Sequence, residues 1–193
     1  MVRGKKNRIH ISSFSNLTIR IFVIGYKNEG EANLVIFLDG DKAVFSMIID
    51  CYEQEGLNLT QDILNLYKIK SLDFACWTHP HDDHSPGFGK VVSQCLGEKT
   101  RVYLPDFKIE RIDEEVLKRE STSAKEVLKD LEELAKGRSL HNPLLLRINV
   151  NVGDENKHHY TLVDQFGNEK PVYIQFFTPF KHYIDNYGFR TDD

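Results

Sequence analysis

Cysteine is scarce in this chain: 193 residues carry three, Cys51, Cys76 and Cys95. An odd, widely spaced set does not form a disulfide framework. It suits a reducing, cytoplasmic setting. Cys76 lies in an apolar run and reads as a small buried hydrophobe. Cys51 follows an aspartate, Asp50, and is kept as a candidate reactive thiol. Long hydrophobic runs are also missing: none approaches the ~20 apolar residues that cross a bilayer, and no signal-peptide pattern opens the chain. Charge of one sign is missing too. The net charge is −4, which gives no global pull toward nucleic acid. A basic stretch at the start, Arg3, Lys5, Lys6 and Arg8, reads as a solvated tail rather than a nucleic-acid arm. Repeats and low-complexity segments are absent. What remains, 40% apolar and 28% charged residues, is the composition of an ordinary globular protein. The length suits a single domain, expected over residues 17–193 behind a flexible segment 1–16.

Histidine is concentrated where cysteine is not. Residues 78–84 read Thr-His-Pro-His-Asp-Asp-His, a spacing of H-x-H-x-D-H. Imidazole and carboxylate together are the donors that hold zinc and similar divalent ions. In extended backbone, residues two apart point the same way, so His79 and His81 can grip one ion. Asp83 and His84 are adjacent and point apart, which suits a turn with room for a second ion. Pro80 stiffens the first half of the loop. Water held between two such ions ionises near neutral pH and becomes a nucleophile.

Periodicity places this motif in an α/β frame. Residues 17–25, 33–38 and 44–49 read as strands of a β-meander, with Asp39-Gly40-Asp41 as a hairpin signal. Residues 59–70 change to helical spacing, with Thr60 as the expected N-cap. Residues 72–77 form a short apolar run, a buried strand, and the motif follows its C-terminal end. Ser85-Pro86 opens a helix reaching about Cys95. Residues 101–104 are another strand. Residues 110–137 predict one or two charged helices, with a break near Ser121 to Ser123. Residues 144–152 and 160–163 predict two strands joined by a turn at 153–156. Gly167-Asn168 marks a further turn before a strand over 172–177. The tail from Lys181 onward shows no clear element.

In this order of elements the chain resembles the metallo-β-lactamase fold superfamily. The resemblance rests on Thr78 to His84, on Asp50 at the end of the third meander strand, and on Gly87 shortly after the motif. It covers about residues 17–105 and looks nearest to the competence-type DNA-uptake branch. It implies an αβ/βα sandwich, two mixed sheets facing each other with helices outside. It further implies that His79 and His81 ligate one metal, Asp83 and His84 a second, and that Asp83 orients the attacking water. Asp50 would steady the loop from behind. Zinc is the implied metal, with two ions in a complete site. The motif does not choose among the superfamily's substrates; a phosphodiester, small or nucleic acid, is the first expectation.

The second half leaves alternatives open. A complete site in this superfamily needs a bridging Asp and a further His. In one reading Asp154 ends a strand and supplies the bridge, with His182 as the last ligand. In the other, Gly153-Asp154 is only a hairpin turn and the ligands lie beyond Asp193. His10, His141, His158 and His159 are weaker ligand candidates. The function expected is therefore a metal-dependent hydrolase. The alternative is a truncated or degenerate domain acting as a non-catalytic binding subunit, as a homo-oligomer or with a completing partner chain.

Overall fold

A computed structural model describes residues 7–26, 29–78, 81–105, 122–136, 145–148 and 157–175. The meander forms as expected, with longer strands: β2 Leu17–Tyr26, β3 Glu29–Asp39 and β4 Lys42–Ile49. A strand ahead of them, β1 Asn7–His10, was not expected. After β4 come α1 Leu59–Leu66, β5 Phe74–Cys76, α2 Phe88–Gln94 and β6 Arg101–Pro105. Then follow α3 Thr122–Ala135, β7 Leu145–Ile148, β8 Lys157–Val163 and β9 Glu169–Gln175. The six-stranded sheet runs β2-β3-β4-β5-β6-β7, antiparallel as far as β4 and parallel after it. The smaller sheet runs β1-β8-β9, with β1 parallel to β8 and β9 antiparallel to it.

This is the expected mixed α/β architecture, and its layers follow from alternation along each strand. In β3, Leu34, Ile36 and Leu38 point to one face of the large sheet and join α1, α2 and α3 in one core cluster. Phe37 points to the other face. There it meets Phe45, Phe74, Cys76 and Tyr103 from neighbouring strands, and Ile9, Tyr160 and Leu162 from the small sheet. Successive strands β4 to β7 are added on one side, and a right-handed crossover then carries each helix to the same face. Within α3, Ala124, Val127, Leu128 and Leu131 are all buried, the spacing of a helix with one apolar stripe. No helix among the described residues covers the outer face of the small sheet, and none is long and apolar enough to cross a membrane.

Several boundaries differ from expectation, each for a local reason. The segment 1–16 was expected to be flexible. Residues 1–6 of it lie outside the described residues; within the rest, Ile9 and Ile11 are 7% and 5% exposed, because β1 pairs with β8, Asn7 lying beside Tyr160. Asn58, not Thr60, caps α1: its side chain accepts from Gln61 N at 3.0 Å, while Thr60 is fully buried. The helix stops early because Lys68 has a left-handed backbone. Helix α2 starts at Phe88 rather than near Pro86, because Gly87 takes φ +82, which no right-handed helix accommodates. The predicted hairpin around 153–156 does not form between its two strands. β7 belongs to the large sheet beside β6, and β8 to the small sheet. The hairpin partner of β8 is β9, through a turn at Asp164–Asn168 that includes the predicted Gly167-Asn168.

Candidate metal centre

Strand register brings the site together. β4 and β5 are parallel, and Ile49 lies beside Cys76, so Asp50 and Trp77 leave the sheet at the same edge. β3 runs the other way, which returns its first residues to that edge, with Asn33 opposite Ile49. The H-x-H-x-D-H loop therefore leaves the sheet between Asp50 on one side and the start of β3 on the other. This is the carboxyl end of the parallel strands, the usual place for chemistry in such sheets.

Asp50 is the hub. It is 4% exposed, and its backbone is left-handed at φ +58. Such a conformation costs on the order of 1–3 kcal/mol and persists where surroundings over-determine it. Here they do. Asp50 Oδ1 accepts from Thr78 N at 2.6 Å, and Oδ2 from Thr78 Oγ1 at 2.5 Å. Oδ2 also meets His84 Nδ1 at 2.9 Å. One buried carboxylate thus ties the first residue of the motif loop to its last.

The rest of the loop is held by backbone. Glu31 N donates to Asp83 O at 2.9 Å, and Cys51 N to His84 O at 3.0 Å. Buried Trp77 donates from Nε1 to Ser85 Oγ at 3.1 Å, and Ser85 Oγ donates to His81 O at 2.6 Å. Ser123 on α3 donates to the Asp82 carboxylate, linking the loop to the helix layer. Gly87 closes the far end: a Cβ there would lie 2.5 Å from Asn58 Nδ2.

His84 is buried, and its orientation is chemically specific. A carboxylate only accepts, so the bond to Asp50 places a proton on Nδ1 and presents Nε2 on the other side. Nε2 lies 3.4 Å from Asp83 Oδ2 and 4.0 Å from Glu31 Oε2. Burial disfavours the imidazolium. The hydrogen bond to Asp50 and the charges of Asp50, Asp83 and Glu31 outweigh it and hold the His84 pKa above its usual value. A histidine oriented by a buried carboxylate, with its other nitrogen toward a half-exposed carboxylate, is the donor chemistry of a divalent-metal site.

Of the predicted ligands, the structure brings His84 and Asp83 together. His81 sits exposed at the start of the turn that carries both, and His79 lies outside the described residues. Among the described residues, no three His, Cys, Asp or Glu side chains form a group able to hold an ion. Asp154, His141 and His182 lie outside the described residues. So does the side chain of His158. His10 is exposed on β1. His159 is exposed on β8, edge-on to Tyr173 at 4.8 Å. Cys51, the candidate reactive thiol, is fully buried, and burial raises its pKa to about 11, which disfavours the reactive thiolate. Glu31 was missed in the sequence. Its only signal was its position just ahead of an apolar strand, and the antiparallel return of β3 is what carries it to the motif.

No protein-family model matches the chain, and no curated protein matches it. Solved structures similar to it include the metallo-β-lactamase FIM-1 from Pseudomonas aeruginosa in its mono-zinc form. There the identity is 16% and the TM-score 0.32, over 76% of this chain and 52% of that one. Another is the metallo-β-lactamase fold protein YhfI from Bacillus subtilis, at 16% identity and a TM-score of 0.34, over 81% of this chain and 57% of that one. The chain thus spans about half the length of each. At these scores the likeness carries no argument, and the case for the site rests on Asp50, Thr78 and His84.

Proposed function

We propose that this chain carries the first half of a hydrolytic metal centre, with His79, His81, Asp83 and His84 as its ligands and zinc as the metal. A bound divalent ion would lower the pKa of water toward neutrality and supply the nucleophile. The chain's own contribution is positional. Asp50 holds the His84 proton on Nδ1 and keeps Nε2 as the donor atom. Asp83, half-exposed beside that nitrogen, accepts a proton from an incoming water and aligns its lone pair. Trp77 and Ser85 fix the His81 carbonyl and with it the turn. Glu31 adds negative charge at the rim, which favours a cation and disfavours a bare anionic substrate unless metal is present. The substrate class proposed is a phosphodiester, whose developing charge such a centre neutralises. The compartment proposed is the reducing cytoplasm, supported by three buried, unpaired cysteines.

The observation that carries this reading is the Asp50 carboxylate, which binds both ends of the motif loop and selects the His84 tautomer. The test is elemental analysis of protein purified without chelator, with hydrolysis of bis-p-nitrophenyl phosphate followed in parallel. Metal bound at one to two equivalents and activity lost in His81→Ala support the proposal. Protein that takes up no zinc from a near-stoichiometric solution refutes it for this chain.

A further inference from the structure

Strand β2 has the composition of a central strand and the position of an edge strand. It reads Leu-Thr-Ile-Arg-Ile-Phe-Val-Ile-Gly-Tyr over ten residues, without proline or any acidic or lysine side chain. Among the described residues it pairs with β3 alone. Natural edges are usually blunted by charge, proline, a bulge or a short length. β2 is long and free of proline, and its one register irregularity falls at its end, between Ile24 and Tyr26. Its one charged residue is Arg20. That side chain turns to the helix face, bonds to the Tyr67 hydroxyl and lies over its ring at 5.4 Å. On the opposite face Ile19, Ile21 and Val23 are 52%, 67% and 83% exposed. The small sheet packs on this same face of the large sheet, yet it leaves these three side chains uncovered.

We infer that β2 is a self-association edge, and that its occupant is β2 of a second copy of this chain. The stripe is symmetric about Ile21. An antiparallel, two-fold pairing centred there sets Ile21 opposite itself and Ile19 opposite Val23 of the other copy. β-Branched cross-strand pairs of this kind are favourable. In the same register Arg20 faces Phe22 rather than the other Arg20, so no like charges meet. A two-fold interface needs one patch that complements itself, and β2 meets that requirement in hydrogen bonding, shape and charge. Pairing one strand buries well under the ~800 Å² per partner of a standard interface, so the dimer is reversible and depends on concentration. This inference is independent of the metal centre, which lies in the loop beyond β4 and β5.

Sedimentation of the full chain at high micromolar concentration should show a species of twice the 22.4 kDa monomer mass. Ile21→Lys, which sets two ammonium groups against each other, should leave only monomer with an unchanged melting curve. Register is read with single cysteines and a short bis-maleimide. Ile21→Cys should cross-link to its own copy. Ile19→Cys alone should not, because four residues of offset separate the two by roughly 14 Å; mixed with Val23→Cys it should. A chain that stays monomeric throughout, or cross-linking that is equal at residues 19 and 21, overturns the inference.

Discussion

Asp50→Asn isolates the role of one oxygen. Asparagine has the volume of aspartate and tolerates the left-handed backbone at φ +58 better than most residues. The Cβ position and the strain therefore stay the same. Oδ1 can still accept from Thr78 N, the bond now at 2.6 Å. In place of Oδ2 stands an NH2 group. The Thr78 hydroxyl can rotate to accept from it, but His84 Nδ1, now 2.9 Å from Oδ2, can accept only by losing its proton. The prediction is a tautomer switch, with the proton moved to Nε2, the atom that faces Asp83. Losing a buried charge-assisted hydrogen bond costs about 1.5–3 kcal/mol. For a chain of this size that lowers Tm by roughly 3–12 °C. A metal-facing nitrogen that carries a proton cannot ligate, so zinc affinity should fall about 10–100-fold, as when the partner of a ligating histidine is lost. Long-range ¹⁵N–¹H correlation spectra report the His84 tautomer, and titration calorimetry reports the affinity. A variant with a switched tautomer and undiminished zinc affinity would refute the assignment of Nε2 as the donor. A variant with an unswitched tautomer would refute the hydrogen-bond argument itself.

Gly87→Ala should destabilise the fold by on the order of 1–3 kcal/mol, since a Cβ at φ +82 meets the amide of Asn58, which caps α1; chemical denaturation at constant m-value measures it. The thiols of Cys51, Cys76 and Cys95, all buried, with their pKa values raised by burial, should resist Ellman's reagent until denaturant is added. Rapid stoichiometric labelling of the folded chain would contradict that packing. Asp39 accepts from Ser12 N and Oγ at 2.5 and 2.6 Å, and these bonds lower its pKa. A depressed folded pKa adds stability above the unfolded value, near 3.9, and that stability is lost as pH falls through the folded pKa. Unfolding curves of the parent and Asp39→Asn should therefore differ at neutral pH and converge in acid; a constant gap would show that the ionised carboxylate contributes nothing.

The sequence by itself determined the strand-forming alternation of the meander, the 3.6-residue stripe of α3 and the clustering of histidine and aspartate in the motif, because each is written in neighbours a few residues apart. It also placed Asp50 at the end of an apolar strand, while a role for it behind the loop came only from the family resemblance. Tertiary structure decided what that carboxylate meets. Thr78 and His84 come to Asp50 only because β4 and β5 are parallel and in register. Glu31 arrives only because β3 returns antiparallel to β4. Asn7–His10 became a strand through β8, a partner that no local pattern reveals. The strands on either side of 153–156 went to different sheets, although their local alternation is the same as that of a hairpin. Local periodicity records which face of an element is buried; it does not record against what. That choice belongs to contacts between residues far apart in the chain, and the site at the edge of the sheet is built almost entirely from such contacts.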